Sequence, residues 1–172
     1  MKNKTPLVFV LGLVIINLLS NSCKKDANSN IPRLLTTGTW LLANVQVTNF
    51  VGDAQIGTAD TLYVGCDSTQ TFTFNTNNTC TFVNFACLAQ NTTGTWTLTP
   101  NRLFFTSDMT CKDTTGNKGV IKQTQPFTNA QIYTLGIYSL VLQTGDVEPN
   151  YSSTKRRRIV RYGFIKQKAL TQ

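Results

Sequence analysis

Cys23, Cys66, Cys80, Cys87 and Cys111 are the residues of this 172-residue chain with the most legible chemistry. The chain has no histidine, so it lacks both the commonest general base and the commonest zinc ligand. Its acids are seven aspartates and one glutamate, and no two stand in a spacing that suggests a paired-carboxylate site. The cysteine spacings do not resemble the CxxC pairs of a zinc site either. Sulfur can then serve as a disulfide, as a buried thiol or as a point of covalent attachment. Without a nucleophile–base pair the expectation is a protein that is not an enzyme and needs no metal or cofactor. The formal charge of +8 is basic, but much of the excess sits in one run, KRRR at Lys155–Arg158, and no nucleic-acid partner is expected.

The first cysteine follows an export signal. Lys2 and Lys4 supply a positive start, and Leu7 to Leu19 form an apolar stretch broken only by Gly12 and Asn17. That stretch is too short for an ordinary membrane-spanning helix, which needs about 20 residues. SNSC, Ser20 to Cys23, then resembles a bacterial lipobox; such motifs prefer a leucine three residues before the cysteine, where this chain has Ser20, with Leu19 one residue further back. The resemblance implies a signal peptide over 1–22, cleavage before Cys23 and acylation of its thiol. Residues 23–35 read as a polar, aperiodic tether. Lys24-Lys25-Asp26 resembles a surface-export signal of some Gram-negative lipoproteins. The expected location is the outer membrane of a Gram-negative bacterium, on its periplasmic or its outer face.

Four cysteines remain in the exported part, an even number that implies disulfides with three possible connectivities. The strand pattern selects among them. QTFTFN (Gln70–Asn75) and TCTFVNF (Thr79–Phe85) alternate apolar with polar residues and are separated by Thr76-Asn77-Asn78. A three-residue hairpin loop closes well when its last residue is left-handed, and Asn78 tolerates that conformation. This register sets Phe74 opposite Cys80 and Phe72 opposite Phe82, all on one face. Extended further, it brings Cys87 opposite Asp67, one residue from Cys66. Cys66–Cys87 is therefore the expected clamp on the hairpin, and Cys80–Cys111 follows by elimination.

Beyond the tether, Thr, Asn, Phe, Val and Gly dominate and no long helical period appears, which suits strands and turns. Strands are expected near 38–48, 70–75, 79–85, 93–99, 103–106, 119–125, 137–143 and 158–167, with 132–135 ambiguous and 51–60 a long loop. Thr99-Pro100-Asn101-Arg102 reads as a tight turn. Sequential hairpins without intervening helices predict an all-β fold: an antiparallel up-and-down barrel of about eight strands over 36–172.

The pentapeptide TTGTW occurs twice, at Thr36–Trp40 and Thr92–Trp96, and holds both tryptophans of the chain. In each copy Gly opens a strand and permits a bend or a close backbone approach. The Trp two residues later can then cap an apolar interior. Together with CDSTQTFTFNTNNTCTF (Cys66–Phe82) and TGTWTLTPNRLFF (Thr93–Phe105), the GTW opening (Gly38–Trp40) resembles the lipocalin-like domain family of small exported bacterial lipoproteins. The resemblance implies a lipocalin-like barrel with a possible apolar cavity and no catalytic chemistry. In true lipocalins an arginine of the last strand packs over the opening Trp, and Arg158 is the candidate here.

Trp40, Phe72, Phe74, Phe82, Trp96 and Leu98 are expected to face the barrel interior. The function expected first is binding of a small apolar or amphipathic ligand by a membrane-anchored barrel. The alternative is a cell-surface structural or interaction module that has no cavity. Such a module would meet glycans, lipopolysaccharide phosphates or a partner protein, whose identity the residues do not disclose.

Overall fold

The computed structural model describes residues 30–63, 65–114 and 119–167. The signal peptide, Cys23 and the Lys-Lys-Asp segment lie outside the described residues. Among the described residues no helix is long and apolar enough to cross a membrane.

The compact barrel unit begins at Ile31. Its first element is not tether, as residues 23–35 had suggested, but a short helix, α1 (Ile31–Thr36), that buries Leu35 completely. Among the described residues eleven strands follow: β1 (Thr39–Val51), β2 (Ala54–Leu62), β3 (Thr71–Phe74), β4 (Thr79–Val83), β5 (Asn91–Leu98), β6 (Phe104–Ser107), β7 (Cys111–Asp113), β8 (Lys122–Thr124), β9 (Ala130–Leu135), β10 (Ser139–Gly145) and β11 (Arg156–Lys166). A single 3₁₀ turn, Phe85–Cys87, lies between β4 and β5.

Eight of the strands form a closed antiparallel barrel in the order β11-β10-β9-β6-β5-β4-β3-β1, with β1 returning to pair with β11. This is the expected up-and-down architecture. Closure removes the free edges that would otherwise recruit other chains. The β3–β4 hairpin has the expected register, with Phe74 opposite Cys80 and Phe72 opposite Phe82, and Asn78 holds a φ of 64°.

Two strand assignments differ from expectation. The segment near 119–125 is not a barrel stave. Its β8 pairs only with β7, in a separate two-stranded sheet, and the stave in its place is the ambiguous segment, now β9. The reason lies in burial: β8 is exposed or half-buried along its length, whereas β9 begins on the fully buried Ala130.

The loop read at 51–60 is also mostly strand. β2 pairs along the far half of β1, from Val45↔Leu62 to Val51↔Ala54. Its first eight residues are exposed, so it carries no alternation for a sequence to display.

The barrel has two unlike ends. At one, here the closed end, lie α1, the start of β1, the turns after β3, β5 and β9, and the end of β11. At the other, the mouth, lie the β1–β2 tip, the 3₁₀ turn, the β7–β8 hairpin and the start of β11.

Candidate functional site

The interior positions alternate with outward ones along the short staves β3, β4 and β6, as in the iBiBi burial of β4 and the iBiB burial of β3 and β6. Of the expected interior residues, Trp40, Phe72, Phe74, Phe82 and Trp96 are buried, and Leu98 is half-buried against the same cluster. They do not surround a hollow. The Phe72 ring lies 4.2 Å from Phe74, 5.0 Å from Phe82, 5.0 Å from Phe127 and 6.0 Å from both Phe105 and Phe164, centroid to centroid. The column continues to Phe85, 5.2 Å from Phe82, and to Tyr162, 5.1 Å from Phe127. Tilted and edge-to-face packing at these distances fills the lumen with rings.

Sequence reasoning missed Phe85, Phe105, Phe127 and Met109. Phe105 sits in a strand whose neighbour Phe104 gives no hint of which face is inward. Phe127 lies in the loop before β9, where no period applies.

The two Gly-Thr-Trp segments cap the interior at the closed end by different means; Gly38 immediately precedes β1, whereas Gly94 lies inside β5 and does not open it as expected. Trp40 donates its indole N–H to the Leu35 carbonyl of α1 at 2.9 Å, and Trp96 donates to the Asn75 carbonyl of the β3–β4 turn at 3.2 Å. Gly38 takes a φ of 101°, which few other residues adopt. Gly94 is required for space instead: a Cβ there would lie 2.6 Å from an Asp108 carboxylate oxygen and 2.9 Å from the Met109 nitrogen. Asp108 accepts from the Thr95 amide at 2.6 Å and from its hydroxyl at 2.8 Å. These bonds hold its carboxyl below the usual range.

The cation over Trp40 is not Arg158. Arg158 is exposed and stands opposite Asn49, toward the mouth. Lys166, at the other end of β11, is opposite Trp40 and places its ammonium 4.7 Å from the ring centroid. Partial burial, then the nearby Arg33, lowers its pKa.

The cysteines divide. Cys66 and Cys87 are bonded, with Cα atoms 5.2 Å apart. The ladder expected to reach Cys87 stops at Val83, and the 3₁₀ turn with left-handed Asn84, Ala86 and Cys87 completes the approach. Gln90 fixes that turn: its side-chain amide donates to the carbonyls of Phe85 and Lys112, both at 2.8 Å, and its oxygen accepts from the Lys112 amide.

The expected Cys80–Cys111 bridge is absent, and both are buried free thiols. Cys80 sits 3.3 Å from the Ser107 hydroxyl, and Cys111, on β7, is fully buried in the same core cluster without bonding to Cys80. Elimination assumed that every thiol is oxidised; here each one has its own hydrogen-bonding neighbour. Burial raises the pKa of Cys80 and pushes Cys111 up to about 11.

At the mouth the aromatic column ends on an open cleft of about 370 Å³. Phe85 and Tyr162 are buried lining residues at its base, and Tyr63, Asp113, Lys122 and Arg158 also line it. The Tyr63 hydroxyl lies 3.5 Å from Asp113, which is opposite Lys122 across the β7–β8 pair. Burial, then Tyr63 and Asp113, push the Tyr162 phenol well above its ordinary value, and Arg158 opposes them. A larger open cleft of about 580 Å³ is lined by Leu41 to Val45 of β1, by Thr61 to Tyr63 at the end of β2 and by the loop carrying Cys66. Among the described residues no group of three or more Cys, Asp or Glu is placed to hold a metal ion.

No family model, curated protein or solved structure matches the chain.

Proposed function

We propose that this chain is an outer-membrane lipoprotein, anchored through Cys23, whose lipocalin-like barrel binds a small amphipathic anion at its mouth rather than in its lumen. The supporting observation is the continuous aromatic column, which fills the interior and ends just beneath the mouth at the buried Phe85 and Tyr162. An apolar tail of modest length can cover that base while Arg158 and Lys122 meet a carboxylate or phosphate head. The role is binding, without a reaction. The barrel closure and the Gly-Thr-Trp opening support the lipocalin-like assignment, and the apolar stretch before SNSC supports the anchor.

Calorimetric titration with decanoate and with decanol tests the reading. Saturable binding of decanoate, weakened by Arg158→Ala and Lys122→Ala and poorer for the uncharged decanol, is expected. Binding that ignores both substitutions, or none at all, removes the mouth as a site.

A second reading, a basic surface for glycan or lipopolysaccharide phosphates, is favoured by the KRRR run. Lys155 is held by Glu148 at 2.7 Å and Arg157 stacks 3.5 Å from the Tyr151 ring, while Arg156 and Arg158 stay exposed. Retention on lipopolysaccharide that depends on Arg156 favours this reading over the small ligand.

A further inference from the structure

The closed end of the barrel carries an apolar patch that the mouth does not explain. Ile137 and Tyr138, in the β9–β10 turn, are 63% and 66% exposed, and Ile165 near the end of β11 is 49% exposed. They are neighbours: Ile165 is opposite Ser139, and the Lys166 amide donates to the Tyr138 carbonyl at 2.9 Å. Two cations flank them. Lys166 donates to the Thr37 hydroxyl at 3.0 Å, and Arg33 is exposed on α1. A lone exposed isoleucine needs no explanation, but three large apolar side chains beside two cations form the mixed surface that suits a lipid–water interface. Tyrosine favours that level because its ring is apolar and its hydroxyl is wet.

The chain itself indicates what covers the patch. Cys23 precedes Ile31 by eight residues, which at full extension reach at most about 28 Å. α1 opens at this same end, so a lipid on Cys23 holds the patch, and not the mouth, within reach of the bilayer. Lys24 and Lys25 add positive charge along that tether. We infer that Ile137, Tyr138 and Ile165 dock the closed end of the barrel onto the membrane that anchors Cys23, with Arg33 and Lys166 meeting anionic headgroups. The mouth then faces away from the bilayer. The inference rests on the anchor proposed above.

The test uses the full chain isolated from membranes and reconstituted into phosphatidylcholine vesicles containing phosphatidylglycerol. Intact mass reads the anchor, and Trp emission with brominated lipids reads the docking. Tyr138→Trp should shift to the blue and lose emission to lipids brominated near the headgroup. Ile56→Trp, on β2 toward the mouth, should not. Arg33→Gln should lower the docked-to-undocked ratio about fivefold, and replacing phosphatidylglycerol with phosphatidylcholine should lower it further. A chain of unlipidated mass overturns the anchor and this inference together. A lipidated chain whose Tyr138→Trp emission ignores brominated lipid overturns the docking alone. A blue shift that appears without lipid and grows with protein concentration assigns the patch to a second copy, and also overturns it.

Discussion

Lys166 lies over Trp40 across the seam that closes the barrel, its ammonium 4.7 Å from the indole centroid and its backbone paired with that of Trp40. The seam therefore ends in a ring held from two sides, by the Leu35 carbonyl at its N–H and by a cation at its face.

Trp40→Ala should be among the most damaging single changes, costing roughly 3–5 kcal/mol for a fully buried ring. Lys166→Ala should cost about 0.5–1 kcal/mol, the range for a partly exposed cation–π contact. Arg158→Ala should leave stability nearly unchanged. Urea denaturation of the three variants separates these expectations. An Arg158→Ala loss matching that of Lys166→Ala would place the capping cation on the wrong residue.

Phe82→Ala should cost roughly 3–5 kcal/mol, because Phe72, Phe85 and Phe127 already occupy the space around the ring. Thermal or chemical denaturation measures this. A nearly neutral Phe82→Ala would mean that the lumen has room to spare.

Gly94→Ala should destabilise by about 1–3 kcal/mol through overpacking, since the Met109 backbone nitrogen cannot move as a flexible side-chain end could. Adding Asp108→Ala to the same chain should recover only part of the loss. Equal denaturation midpoints for the wild type and Gly94→Ala would show that the close approach is not maintained in solution.

Peptide mapping without reductant should recover Cys66 joined to Cys87, and Cys80 and Cys111 as free thiols alkylated only after unfolding. The raised pKa values of these two thiols also set a pH dependence. The fold disfavours both thiolates, so this contribution to stability is complete below the ordinary thiol pKa of about 8.5. It is lost as pH rises toward about 11, the value for Cys111. Urea midpoints should fall over that window, and the fall should be smaller in Cys111→Ala than in the wild type.

Much of the barrel was legible because its signals are local. The hairpin from Thr71 to Val83 declares its register through alternating phenylalanines and an asparagine able to sit at positive φ, all within about a dozen residues. Cys66–Cys87 was reached by extending that ladder past its true end, so the pairing was right although a 3₁₀ turn, not a strand, delivers Cys87. β2 was illegible because exposure on both faces leaves no pattern, and only backbone pairing with β1 makes it a strand.

By itself the sequence determined the all-β class, the inward face of the β3–β4 hairpin, the two tryptophan caps and one disulfide. Each follows from period-two alternation or turn chemistry among near neighbours. Only the tertiary structure decided that β9 and not β8 is a stave, that Phe127 enters the core from a loop, that Lys166 and not Arg158 covers Trp40, and that Cys80 and Cys111 stay unbonded as thiols. Each of these depends on which distant segments meet when the barrel closes. The shear between β1 and β11 sets which basic residue reaches the ring, and the filling of the lumen sets which loop residue is drawn in.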